Sequence, residues 1–323
     1  MWPTLVDLGN GAGVHTYGLF ILAAFCSAFM LVHALALRGG LHPDRLLGVY
    51  LAAAVGGLSG GRLLYAVAVE PQRTLADPLS LLSFSGFAVY GGILGGILAV
   101  GLVARAQGIH IWKLADIAAP AVLLGMGVGR VGCFFAGCCH GDVVDHIGDA
   151  AIGLFPYAFT GGQVWLSAIA PFLTLEFHGG VGRLHDVPLY PTQVWAAAYL
   201  TLLAGLLTYL WTKRRFDGQI AALTLIIEPW FRSAVEAYRA DHRGVVVSVE
   251  VSDAVAAWLP GMSKAGASFG EASVIGLTTS QALGLVAVAI GVGIYAVRRN
   301  AGVDEEIPIE VDPLDDPAVL DEL

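Results

Sequence analysis

The sequence predicts an all-α polytopic membrane protein with about seven transmembrane helices and an outer-face arm or head segment. Two observations carry that expectation. Of 323 residues, 56% are hydrophobic and only 13% charged, and mean hydropathy is +0.72, which is too apolar for a soluble domain of this size. Apolar runs long enough to cross about 30 Å of hydrocarbon also recur along the chain. The formal net charge of -9 comes from one end, because Asp304 to Leu323 holds nine carboxylates and no Lys or Arg. The remainder is near neutral, so net charge says little about partners; no nucleic-acid partner is expected of a polytopic membrane protein. The acidic run, interrupted by Pro308, Pro313 and Pro317, reads as a disordered tail.

The apolar runs fall at roughly Tyr17 to Leu37, Leu47 to Val69, Gly86 to Ala104, Asp116 to Gly137, Gln193 to Trp211, Gln219 to Val235 and Leu277 to Val297. The first has no basic region before it and no small-residue cleavage site, so it is expected to be retained as a span. The sixth carries Glu228 and Arg232, with Glu236 just beyond it, and is the least clear. Val164 to Phe177 is apolar but short and contains Pro171, which suits an interfacial arm better than a span. Basic residues follow the first span (Arg38, Arg45), the third (Arg105, Lys113), the fifth (Lys213, Arg214, Arg215) and the seventh (Arg298, Arg299). The positive-inside rule then puts the N-terminus outside and the tail in the cytoplasm. A membrane domain over 1–303 is expected, with outer-face segments at about 138–192 and 240–276, followed by the tail at 304–323.

Glycines come in bursts at Gly56 to Gly61, Gly91 to Gly96 and Gly125 to Gly132. Small-xxx-small spacing of this kind lets helix backbones approach closely. Neither an inverted repeat nor matched Gly/Pro-broken helices are present, which argues against a transporter.

Three arginines lie within the predicted spans: Arg62, Arg130 and Arg232. A guanidinium in hydrocarbon is costly, so each marks a functional-site hypothesis. Arg232 and Glu236 are four apart and could neutralise each other on one helix face. Arg62 and Arg130 have no carboxylate nearby in sequence, and an arginine fork suits phosphate. Two or three of them converging would make a site for a lipid phosphate. Tyr17 and Tyr90 open spans, where tyrosine is ordinarily an interfacial belt residue, and His15 and His140 read the same way. Tyr190-Pro191-Thr192-Gln193 starts the fifth span, with Gln193 as a candidate inward donor. The spacing of Cys133, Cys138, Cys139 and His140 is not a CxxC pair, so its metal signal is weak. A disulfide or buried small hydrophobes are preferred, and neither metal nor cofactor is expected.

Taken in order, the chain shows His15-Thr16-Tyr17-Gly18, then Gly60-Gly61-Arg62-Leu63-Leu64-Tyr65, then Tyr90-Gly91-Gly92-Ile93-Leu94-Gly95-Gly96, then the stretch Gly125 to Gly141. Tyr190-Pro191-Thr192-Gln193, Phe231-Arg232 with Glu236 and Arg239, and Thr279-Ser280-Gln281 follow. This series resembles the prolipoprotein diacylglyceryl transferase family of bacterial inner membranes, from Val14 to about Val297. The resemblance implies a monomeric multi-pass enzyme that moves diacylglycerol from phosphatidylglycerol to the lipobox cysteine thiol in the signal peptide of a prolipoprotein. It implies catalytic roles for Tyr17, Tyr90, Arg130, Arg232 and Glu236. It implies substrate-binding roles for Arg62, Cys133, Cys138, Gly141, Gln193 and Arg239.

Departures from the family pattern are specific. Tyr90 stands where the family has histidine, and Cys133, Ala136 and Cys138 stand at its Asn, Asn and Glu positions. A tyrosine, with pKa near 10, is a poorer base at neutral pH than a histidine. Two further readings follow: a divergent paralogue with another acceptor, and an anionic-lipid-binding membrane protein without chemistry.

Overall fold

The computed structural model describes residues 4–9, 12–41, 43–77, 81, 86–141, 175–176, 188–236, 238–239, 245–250 and 274–300. Along these the chain runs β1 (Thr4–Gly9), β2 (Ala12–His15), α1 (Thr16–Arg38), α2 (Pro43–Ala68), α3 (Pro71–Ala76), α4 (Val89–Ala106) and α5 (Ile111–Ala136). It continues through β3 (Leu175–Glu176), β4 (Pro188–Leu189), α6 (Thr192–Trp211), α7 (Gln219–Glu236), β5 (Val245–Glu250), β6 (Val274–Thr278) and α8 (Thr279–Arg298). Each of the seven predicted runs is a helix. The strands form three antiparallel two-stranded pairs, β1–β2, β3–β4 and β5–β6. The β5–β6 pair lies largely within the segment expected on the outer face at 240–276 and leads directly into α8. The tail at 304–323 and the predicted arm lie outside the described residues, apart from Leu175 and Glu176 of the arm.

Length and composition allow α1, α2, α5, α6 and α8 to cross a membrane, and α4 contributes a shorter apolar helix over Tyr90–Ala106. Their outward faces agree with this, because Phe25, Leu202 and Val297 are exposed by 73%, 74% and 79%. Large apolar side chains so exposed along the long helices would make a soluble protein aggregate, but they suit contact with acyl chains. The chain is thus an all-α multi-pass membrane protein. Pro120 in α5 and Pro229 in α7 sit inside helices, as membrane helices tolerate where neighbouring groups compensate the lost backbone bond.

The chain divides into two compact units. Of the described residues, one comprises those of Phe29–Ile117 and Arg215–Asp217. Its described part is built on α2 against α4, and the glycine bursts explain how closely these helices pack. A Cβ on Gly60 would overlap the Gly91 carbonyl oxygen and lie 2.8 Å from Gly95 Cα. Arg62 serves the connection between the two helices, donating from Nε to the Leu81 carbonyl at 3.3 Å and from a terminal nitrogen to the Gly86 carbonyl at 3.4 Å. Lys113, Asp116 and Asp217 are buried in this unit, and His110 Nδ1 lies 3.7 Å from the Asp217 carboxylate.

The other unit comprises Met1–Ala28, Ala118–Arg214 and Gly218–Asn300. α6 buries Gln193, Ala196, Leu200, Leu203, Ala204, Leu207 and Trp211, a helical stripe of spacing three to four. α5 meets α6 where a Cβ on Gly127 would lie 2.7 Å from Thr201 Oγ1. α7 packs on α8, with Gly291 against the Ala222 carbonyl, where a Cβ would lie at 2.9 Å. Thr278 and Gln281 form a capping box at the start of α8, at 3.2 Å and 3.1 Å, which satisfies backbone donors that otherwise have no partner.

Candidate functional site

The site is built around the C-terminal end of α5. That helix stops at Ala136 in a Schellman turn: Gly137 has φ 68, its N–H reaches the Phe134 carbonyl at 3.2 Å, and the Cys138 N–H reaches the Cys133 carbonyl at 3.1 Å. Glycine adopts this left-handed backbone without penalty. Cys139 then takes φ 60, a conformation that costs a residue with a Cβ about 1–2 kcal/mol and persists only where surroundings fix it. Here they do. Thr192 Oγ1 donates to the Cys139 carbonyl and Gln193 Nε2 to the Cys138 carbonyl, both at 2.9 Å. The Gly141 N–H donates to the Tyr190 carbonyl at 2.8 Å, and Gly141 pairs with Arg239 in an antiparallel bridge.

Beside this turn lies a small, partly open cleft lined by Met126 and Arg130 of α5, Ala196, Tyr199 and Leu200 of α6, Arg232, Val235 and Glu236 of α7, and Arg239. Arg232 and Glu236 project together because four residues separate them on one helix. Arg232 Nε donates to the hydroxyl of the buried Ser280 at 3.0 Å, which leaves the terminal nitrogens of the fork for another acceptor. Tyr199 stacks on Phe231, with ring centroids 5.6 Å apart, and closes one side. Three guanidiniums and one carboxylate give the cleft a net positive charge, which suits an anion chemically.

The cysteines meet at the other side of the turn. All four cysteines are thiols in this structure; of the two readings preferred from sequence, disulfide or buried small hydrophobe, Cys133 matches the second. Cys133, Cys138 and Cys139 place their sulfur atoms within 4.8 Å of one another, with Cys133 buried and Cys138 exposed. A hydrogen bond from the Cys133 thiol, and then one from the Arg239 guanidinium, hold the Cys139 thiol below its usual pKa against the opposing effect of burial. Tyr17 in the first turn of α1 has these thiols and Arg130 as its electrostatic neighbours.

The structure thus gathers Arg130, Arg232, Glu236 and Arg239 around one cleft, and sets Tyr17, Cys133, Cys138 and Gly141 around the adjoining turn. Gln193 is fully buried and directs its donor at the Cys138 backbone, a positioning contact. Arg62 and Tyr90 belong to the other unit. Sequence reasoning missed Tyr199 as a wall of the cleft, since an aromatic inside an apolar run carries no signal. It gave no role to Glu228, whose Oε1 is buried without a hydrogen-bond partner. A signal was available there, because Glu228 precedes Arg232 by one turn of the same helix.

Comparison with known proteins completes the picture. A profile of the prolipoprotein diacylglyceryl transferase family matches residues 3–297. The phosphatidylglycerol--prolipoprotein diacylglyceryl transferase of Clostridium tetani (strain Massachusetts / E88) is 30% identical over 253 residues, 78% of this chain and 91% of that protein. The protein of the same name in Xanthomonas axonopodis pv. citri (strain 306) is 30% identical over 314 residues, 93% of this chain and 92% of its own length. Among the described residues, seven long helices and a guanidinium-lined cleft near the C-terminal end of the fourth of them thus lie within a sequence matched over residues 3–297, and this chain belongs to the prolipoprotein diacylglyceryl transferase family of membrane transferases.

Proposed function

We propose that the chain transfers the diacylglyceryl group of phosphatidylglycerol to the lipobox cysteine thiol of a prolipoprotein. The observation that carries this reading is the cleft in which Arg130, Arg232 and Arg239 converge, since a phosphodiester bound there is oriented and its charge neutralised. In the reaction the acceptor thiol gives up its proton to solvent and its sulfur attacks the phosphate-bearing glyceryl carbon of the diacylglyceryl group. A carbon–sulfur bond forms, the carbon–oxygen bond to phosphate breaks, and glycerol phosphate leaves with the electron pair. Charge grows on the departing phosphate, and guanidiniums already in position stabilise it without reorganisation. Glu236 takes part as the carboxylate beside Arg232, and Tyr17 lies on the thiol side. The protein is proposed to sit in the bacterial inner membrane as a monomer, with its N-terminus outside and its C-terminus in the cytoplasm.

Purified protein with phosphatidylglycerol and a lipobox peptide tests the reading. A peptide mass gain of one diacylglyceryl group, abolished by Arg130→Ala, supports it. An inactive wild-type protein beside an active relative rejects it. The same assay with Arg62→Ala and Tyr90→Phe tests the two assigned residues that belong to the other unit. A second reading, a paralogue with a different acceptor, is favoured by the thiols at the end of α5. It predicts failure to complement a strain depleted of its own transferase, together with an altered lipid profile when the gene is removed.

A further inference from the structure

The three thiols at the end of α5 are not used by the reaction as described, yet they are assembled with care. Five backbone contacts fix the turn that holds Cys138 and Cys139 over Cys133: the two Schellman bonds, the Gln193 and Thr192 donors, and the Gly141 bridge to Arg239. Their sulfurs already lie within 4.8 Å of one another. Tetrahedral zinc with bonds of about 2.3 Å wants sulfurs about 3.8 Å apart, so small side-chain rotations suffice. The adjacent imidazole, His140, has Nδ1 engaged at 2.9 Å with the Gly141 carbonyl. Three protein ligands and a fourth position for substrate is the pattern of catalytic zinc, whereas structural zinc is closed by four.

We propose that Cys133, Cys138 and Cys139 bind a zinc ion whose fourth position takes the acceptor thiol as a thiolate. The inference rests on the reading that this chain alkylates a thiol, and it supplies the activation for which the sequence offers no histidine in the third span. Zinc with three thiolates carries one negative charge and, with the acceptor bound, two. Arg239, hydrogen-bonded to Cys139, and Arg130, within electrostatic range of it, offset that charge. Binding of the acceptor releases its proton to solvent, because a thiol on zinc is deprotonated outright. The bound sulfur then attacks the glyceryl carbon, the carbon–oxygen bond breaks with its electron pair going to the phosphate, and the neutral thioether leaves the metal. Cys138 is exposed, so the acceptor approaches the cluster on that side.

The test uses the full chain in detergent, equilibrated with zinc chloride or cobalt chloride, passed through a desalting column and then read without regard to turnover. Expected are one zinc per chain, sulfur-to-cobalt charge-transfer absorption, and three sulfur neighbours at about 2.3 Å by X-ray absorption. A lipobox peptide should raise the sulfur count to four, and its Cys→Ser form should leave it at three. Cys139→Ser should lose the metal, and Cys26→Ser should keep it. Absence of stoichiometric metal, full retention by Cys139→Ser, or a sulfur count unmoved by the cysteine peptide overturns the proposal. If wild-type protein stripped by a chelator transfers lipid at its full rate, zinc activation is rejected and the transferase reading stands. If zinc and peptide bind as expected but no lipid is transferred beside an active relative, the transferase reading fails and a thiol-binding metal site remains.

Discussion

Gly141 and Arg239 are partners in an isolated antiparallel bridge, which ties the turn after α5 to the segment following α7. The cleft draws Arg130 from the first of these helices and Arg232 and Glu236 from the second, so the bridge sets the spacing of the charges across it.

Gly141→Ala should therefore damage activity more than its size suggests. A Cβ there would lie 2.5 Å from the Tyr238 carbonyl oxygen and 2.8 Å from that of Tyr190, and both are backbone atoms that a side-chain rotation cannot move. The bridge must open. A displacement of about 1 Å in a catalytic constellation costs about 100-fold, so transfer to a lipobox peptide should fall by about that factor. Helicity by circular dichroism should be retained, and near-normal activity would show that the bridge does not set the geometry.

Ser280→Ala tests the anchoring of Arg232. With the hydrogen bond from Arg232 Nε removed, the guanidinium loses one fixed contact, worth about 0.5–1.5 kcal/mol. The KM for phosphatidylglycerol should rise about 2- to 10-fold on that basis, while the KM for peptide stays unchanged. Ser280→Thr, which keeps a hydroxyl, should recover most of the loss.

Much of this arrangement was legible in the sequence. Every long helix announces itself as an apolar run, and Arg130, Arg232 and Glu236 stand out as charges within or beside such runs. The same signal could not say what each arginine serves. Arg62 has as costly a position as Arg130, yet it donates to the Leu81 and Gly86 carbonyls, acceptors that only the folded connection supplies. In the linear sequence the cysteine cluster gives a weak signal because Cys133 and Cys138 are five apart, a poor spacing on a continuous helix. The helix does not continue: Gly137 turns the chain back, and Cys139 follows in a left-handed conformation, so sulfurs meet that linear spacing keeps apart.

Two glycines on one pair of helices should respond in opposite directions. Gly60→Val drives side-chain atoms into the Gly91 carbonyl and the Gly95 backbone, and overpacking of this kind costs about 1–3 kcal/mol. Gly101 lies in α4, where a Cβ would meet nothing within 4 Å, so Gly101→Ala should gain about 0.5–1 kcal/mol from helix propensity alone. Thermal unfolding in detergent should show the first variant melting lower and the second slightly higher than the parent. Equal shifts would reject the close α2–α4 contact.

Cys139 should be reactive at a pH where an ordinary thiol is not. Its thiol is held below the usual range by the Cys133 hydrogen bond first and the Arg239 guanidinium next, and the thiolate is the form that alkylates. In metal-free protein, the iodoacetamide rate at Cys139 should rise with pH through a midpoint below the ordinary thiol value of about 8.5. Cys133→Ala should move that midpoint up, and Arg239→Gln should move it up by less, as followed by peptide mass spectrometry. The sign for stability is fixed by the same shift. A group whose pKa is depressed by folding stabilises the protein above its unfolded pKa, and that contribution is lost as pH falls through the folded one. Cys139→Ser should therefore flatten the decline in melting temperature of the metal-free protein on the acid side of about pH 8.5. A midpoint at or above the ordinary thiol value, unmoved by either substitution, would show that the thiol and the guanidinium do not act on Cys139.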